Sequence, residues 1–176
     1  QSRSSAASDV YKRQEIYSVK RVHIIVNPFA GKKNGNKIAN LISQELQELK
    51  IDSITYTTEY ANHAEKIVSD ISFETGDSLM SVGGDGTISE IITGLLKRKD
   101  SSSDNVPLSI VPSGSGNSQA NDMEVADYLD AMQRMTVGNL RKMDVGKVTF
   151  MVDGKEQIRY SPVSYTHLRA HETLRY

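Results

Sequence analysis

Cysteine is absent from the 176 residues, so neither a disulfide framework nor a thiolate metal site can form, and a reducing, cytoplasmic setting is expected. No apolar run approaches the ~20 residues that span a bilayer. The amino-terminal QSRSSAASDVYKRQ likewise lacks the apolar stretch of a signal peptide. Any membrane contact is therefore expected to be peripheral. A basic excess is missing as well: the stretch 15–162 carries 16 basic and 20 acidic side chains, a net of −4, without the clustered positive charge of a nucleic-acid binder. What remains is 38% apolar and 24% charged, the balance of a globular chain with a core to bury. The length suits one domain and the start of a second.

The two ends read differently from the middle. Residues 1–14 and 163–176 have no apolar periodicity and resemble translated adaptor sequence, so both are expected to be foreign or disordered tails. His167 and His171, four apart in the second tail, are not expected to bind metal, and no metal-ligating set is assigned elsewhere.

From Lys20 onward short apolar runs alternate with longer amphipathic stretches, the pattern of strand–helix–strand units around a parallel sheet. The expected fold class is α/β, a three-layer parallel-sheet nucleotide-binding domain over 20–138, followed over 139–162 by the truncated start of a β-rich second domain. Strands are predicted at 21–26, 53–57, 78–82 and 107–111. Helices are predicted at 36–49, from Asn62 to about Asp70, at 87–96 and, as one long element, at 118–135. Ile38, Leu41, Ile42, Leu46 and Leu49 form the first apolar stripe, and Ile88, Ile91, Ile92 and Leu95 the third. Val125, Leu129, Met132 and Met135 are expected core contacts of the last helix. Asn62 followed by Glu65 has the spacing of a capping box. The polar stretch 97–106 reads as a solvated loop. Asp153-Gly154 between 148–152 and 157–160 is a two-residue hairpin signal.

Three Gly-rich turns, NPFAGKKNG, GGDGT and PSGSGN, each follow the carboxyl end of a predicted strand and lead into a helix. They should therefore share one edge of the sheet, where α/β proteins bind ligands and where helix N-termini offer backbone N–H groups to anions. Three such turns together suggest a polyphosphate. Gly83, Gly84, Gly86, Gly114 and Gly116 are placed for close backbone approach to phosphate oxygens. Lys32 and Lys33 could add point charges. GGDGTIS lacks the final glycine of the dinucleotide fingerprint, and GKKNGNK lacks the spacing and hydroxyl of a Walker loop.

Asn27-Pro28 with Gly31, then TTEYANHAEKIV, VGGDGTISEIITGLL and PLSIVPSGSGN, resemble the ordered motif set of the lipid kinase catalytic domain of the diacylglycerol kinase superfamily. TEYANHA and GSGN are closest to sphingosine and ceramide kinases, whereas Thr87 after GGDG is more like the diacylglycerol kinases. Ser113 and Ser118 stand where sphingosine kinases often have Ala. KMDVGKV at 142–148 is similar to the family's entry into its second domain. The resemblance implies ATP and Mg²⁺ as cofactors and a membrane lipid as acceptor. It implies that Asn27, Pro28, Gly31, Lys32, Thr58, Gly83, Gly84, Gly86, Thr87, Glu90, Ser113, Gly114, Ser115, Gly116 and Asn117 surround the nucleotide. Asp85 would then be the base toward the lipid's primary hydroxyl, a role a carboxylate can fill in phosphoryl transfer. His63 is expected to pack beneath the nucleotide, and Asp144 to be a strand-end polar residue.

The function expected is phosphorylation of a sphingoid base or ceramide-type lipid. Diacylglycerol is the alternative acceptor, with an NAD kinase-like enzyme or a non-catalytic nucleotide-binding module as further readings. Because the second domain stops after one hairpin, these 176 residues alone are expected to lack kinase activity.

Overall fold

A computed structural model describes residues 17–100, 105–138 and 140–163. The readings of segments 1–14 and 164–176, with His167 and His171, lie outside these residues. Four parallel strands form one sheet in the order β2-β1-β3-β4: β1 Arg21–Val26, β2 Asp52–Thr57, β3 Asp77–Gly83 and β4 Leu108–Pro112. β1 and β3 are almost wholly buried on both faces, so they lack a polar-out alternation; the polar residues they carry, His23, Asp77, Ser78 and Ser81, are buried with the rest. The helices are α1 Gly35–Glu48, α2 His63–Asp70, α3 Asp85–Lys97, α4 Ser118–Asp122 and α5 Tyr128–Val137.

Ile42 and Leu46 of α1 join Met132 and Met135 of α5 in one apolar cluster with Val22, Ile24 and Val26 of β1. Ala64 and Val68 of α2 join Ile91 of α3 in a second cluster with Ile25 and Leu79. Side chains alternate across a strand, so the odd and even residues of β1 face different layers and the domain has three layers. From β1 the chain steps outward to β2, then returns past β1 to β3 and β4. The reversal falls between β1 and β3, and a parallel sheet opens its ligand crevice at the carboxyl ends of such a pair.

Several local expectations are corrected. The stretch predicted as one helix over 118–135 is two, because Glu124 adopts a left-handed φ of 55° between them. α5 then restarts on its own cap: the Asp127 side chain accepts from Asp130 N at 3.0 Å, and Asp130 Oδ2 accepts from Ala126 N at 2.9 Å. Leu129 and Leu49, assigned to core stripes, are each about half exposed. The Asn62–Glu65 capping box does not form. Asn62 is left-handed at φ 67° with no side-chain cap, and Glu65 pairs with Lys97 of α3 instead. Within the stretch read as a solvated loop, Arg98 is largely buried, donating to Val68 O and Ser69 O at the end of α2 and lying 5.0 Å from the Phe73 ring.

The hairpin is as expected: β5 Val145–Val152 pairs antiparallel with β6 Lys155–Pro162 around Asp153 and Gly154, both at positive φ. It docks on α3 through buried hydroxyls. Ser89 Oγ donates to Tyr160 O at 2.7 Å, and Thr93 Oγ1 accepts from Tyr160 N at 2.9 Å. Val148, Phe150, Met151 and Val152 remain exposed, so the hairpin leans on α3 rather than on a core of its own.

Candidate functional site

All three glycine turns lie at the carboxyl ends of the parallel strands, and they touch. A Cβ added to Gly114 would stand 2.4 Å from Gly84 Cα, and one added to Gly31 would stand 2.6 Å from Ser113 O. Gly31 also has φ 50°, so a side chain there would be strained as well as crowded. The turn after β1 thus packs on the turn after β4, which packs on the turn after β3. Backbone bonds lock the seam: Asn27 N donates to Val82 O at 2.9 Å and Ser113 N to Gly83 O at 3.1 Å. At Gly84 and Gly114, expected to be glycine for close approach to phosphate, and at Gly31, the neighbouring turn already demands glycine. No neighbouring turn demands glycine at Gly86, with no protein atom within 4 Å of a Cβ position, or at Gly116, where a Cβ would come no closer than 3.4 Å to another atom, and both are exposed.

Asn27 organises the first turn. Its Oδ1 accepts from Phe29 N at 3.0 Å, and its Nδ2 donates to Thr87 Oγ1 at 3.4 Å, joining the two turns that flank the sheet's reversal. Pro28 follows half-buried, and Lys32 is exposed beside Lys33. Thr58 is buried at the end of β2, its N–H bonded to Val26 O at 2.8 Å, which sets it next to Asn27. In the last turn Asn117 is left-handed and grips Gly114 from both sides, Oδ1 accepting from Gly114 N at 2.7 Å and Nδ2 donating to Gly114 O at 2.9 Å. Ser115 and Gly116 lie exposed at its tip. Ser113 Oγ is buried without a hydrogen-bond partner.

Asp85 is the only carboxylate carried on the glycine turns. It sits in the first turn of α3 rather than in a free loop, and its oxygens accept from Ser118 N at 3.0 Å and Gln119 N at 3.1 Å. The side chain therefore caps α4, tying the second and third turns together. Of the roughly four acceptor positions of a carboxylate, these bonds use two. Glu90 is used differently from the nucleotide contact expected of it. Its two oxygens accept from Asn62 N at 2.9 Å and Ala64 N at 3.2 Å, capping α2 from the neighbouring helix. His63 is half-buried and stacks on Tyr60, with Nδ1 accepting from Glu59 N. Asp144 is exposed, and its carbonyl accepts from Val163 N.

Sequence reasoning missed Arg159, whose Nη2 donates to Asn62 Oδ1 at 2.7 Å from the hairpin 97 residues away. No local pattern signals a partner at that separation. A mostly apolar cavity of about 600 Å³ between β4 and α5 lies apart from the turns. The turns themselves form a shelf that carries the exposed Gly86 and Gly116, the start of α3 and a single carboxylate. Such a shelf fits a polyphosphate. It also fits Mg²⁺ carried on that polyphosphate, since Mg²⁺ commonly takes one or two carboxylates together with substrate phosphates.

Residues 21–148 match the family described as the diacylglycerol kinase catalytic domain. Sphingosine kinase B of Dictyostelium discoideum is 30% identical over 127 residues, covering 72% of this chain and 17% of that protein. A diacylglycerol kinase of Bacillus subtilis (strain 168) is 29% identical over 133 residues, covering 74% of this chain and 42% of that protein. The crystal structure of a diacylglycerol kinase from Bacillus anthracis str. Sterne has the same fold, with a TM-score of 0.61 at 24% identity over 78% of this chain and 47% of that one. The chain thus spans less than half the length of each of these relatives. With the four motifs in order, the glycine turns in contact and most of its length matched, this chain belongs to the diacylglycerol kinase catalytic domain family.

Proposed function

We propose that the chain is the nucleotide-binding part of an ATP-dependent lipid kinase that moves the γ-phosphoryl group of ATP to a lipid hydroxyl. The observation that carries this reading is the contact among the three glycine turns, which turns separate backbone corners into one anion-binding shelf with one carboxylate on it. Phosphoryl transfer asks a protein mainly for positioning and charge neutralisation, and this shelf is built for both. In the step, the lipid oxygen forms a bond to the γ-phosphorus as the bond to the β–γ bridging oxygen breaks, and ADP leaves. Asp85 receives the hydroxyl proton through an acceptor position that α4 does not use. Mg²⁺ neutralises the phosphate charge when bound. Asn27, Thr58, Thr87, Asn117 and the glycine backbones orient the nucleotide, with Lys32 adding charge at the rim. Glu90 acts on the site through the 58–62 loop that it holds.

A sphingoid base or ceramide-type lipid is the preferred acceptor, supported by TEYANHA and by the sphingosine kinase relatives. Thr87 and the Bacillus subtilis relative favour diacylglycerol as the second reading. The lipid acceptor would be met at a membrane surface; no described helix is itself long and apolar enough to cross a membrane. Radiolabelled ATP–Mg²⁺ offered with sphingosine, ceramide and diacylglycerol in turn tests this. A chain extended to the length of its relatives should label one of them, and the 176 residues alone none. Labelling of no lipid by the extended chain would remove the proposal.

A further inference from the structure

Two aromatic rings stand exposed at the rim that carries the glycine turns: Phe29 in the turn after β1 and Tyr60 in the loop after β2. Tyr60 is held in an ordered way. Its ring lies parallel to His63, with centroids 4.2 Å apart and planes 10° from coplanar, and it remains 56% exposed. His63 is fixed in turn, because Glu59 N donates to its Nδ1 at 3.0 Å. The backbone between them is secured at both ends. Thr58 N bonds to Val26 O beside Asn27, and Asn62 is gripped by Glu90 through its N–H and by Arg159 through its side chain.

An exposed tyrosine on a mobile loop would signify little. A tyrosine backed on one face by a fixed imidazole, its ring still open to solvent, next to a phosphate shelf, is a preorganised surface for a flat aromatic group. Accepting the nucleotide reading above, we infer that Tyr60, backed by His63, is the platform on which the base of the bound nucleotide stacks. Glu90 and Arg159 are positioning residues for that platform, one from α3 and one from the hairpin.

Calorimetric titration of the 176-residue chain with ATP and with inorganic tripolyphosphate, both with Mg²⁺, tests this. Base–aromatic stacking corresponds to about 5- to 150-fold in affinity, so Tyr60→Ala should weaken ATP by that factor while leaving tripolyphosphate unchanged. Tyr60→Phe should restore ATP affinity, and His63→Ala should give a smaller loss confined to ATP. Unchanged tripolyphosphate binding also reports that the variants fold. If the parent chain binds ATP and Tyr60→Ala binds it equally well, the platform is wrong and the nucleotide site stands. If Tyr60→Ala keeps its ATP affinity but loses binding to phosphatidylserine vesicles, the ring is a membrane contact and the platform is again wrong. If the parent chain takes up neither ATP nor tripolyphosphate, the nucleotide reading fails and the platform fails with it.

Discussion

The two ends of the parallel sheet use polar groups in opposite ways. At the amino end the charges are turned inward on one another. Asp77, at the start of β3, accepts from Arg21 Nε and Nη2 at 2.9 and 2.8 Å and from Glu74 N at 2.8 Å, and lies 3.1 Å from His23 Nε2. His23 is buried between Tyr56 and Phe73, and Tyr17 adds a bond to Asp77 O. At the carboxyl end many polar groups also satisfy each other, but some are left exposed or unused: the Gly86 and Gly116 backbones, Lys32, and the acceptor positions of Asp85 that α4 does not use. Groups that satisfy each other hold a fold together, whereas groups left available can hold a ligand.

Three substitutions sharpen this contrast, beginning with the largest effect. Asp85→Asn in a chain extended to the length of its relatives should lower lipid phosphorylation by about 10²- to 10⁴-fold, the usual contribution of a positioned base, while ATP affinity by calorimetry stays nearly constant. An undiminished rate would show that the carboxylate serves only to cap α4.

Asp77→Ala should do the reverse, costing about 3–5 kcal/mol of stability in urea denaturation because it leaves Arg21 and His23 without their buried partner. Nucleotide affinity of the folded fraction should not change. The pH dependence has a definite sign. Burial opposes ionisation of Asp77, but the hydrogen bonds from Arg21, Glu74 N and His23 outweigh it and hold the carboxyl below its ordinary range. The folded chain therefore ionises this group at lower pH than the unfolded chain does. Its stabilisation is complete above the unfolded value of about 3.9 and is lost as pH falls through the lower folded value. Acid titration should show that loss in the parent and not in Asp77→Ala.

The smallest effect is expected at the hairpin seam. Thr93→Val keeps the shape but removes the acceptor for Tyr160 N, and should cost about 1 kcal/mol by thermal melting, with faster amide exchange in β6 than in β3. Equal protection of β6 in parent and variant would mean that the seam rests on packing rather than on this bond.

Legibility differed between elements for physical reasons. β1 and α3 were readable because their apolar residues outweigh the polar ones, as a run in β1 and along one stripe of α3, and β3 because its Leu79, Met80 and Val82 lead straight into the GGDG turn. The long helix expected over 118–135 failed because nothing in its apolar spacing registers the left-handed Glu124, although Asp127 and Asp130 carried a restart signal in plain view. Asn62 and Glu65 present the opposite case, a local cap signal that did not form. Two rival partners were stronger: Glu90 reached the free N–H groups of α2 first, and Lys97 took Glu65. A carboxylate on an adjacent helix leaves no mark on the sequence beside the cap it replaces.

The chain's own order of residues was enough to determine the alternation of strands and helices, the shared edge of the three glycine turns and the family, because periodicity and motif order are properties of the chain itself. Only the folded arrangement decided that Gly31, Gly84 and Gly114 serve one another before any ligand. It also decided that Asp85 caps α4, that Glu90 and Arg159 hold the 58–62 loop, and that Tyr60 rests on His63. Each of these depends on which atoms meet across many residues of intervening chain, and sequence spacing does not encode that distance.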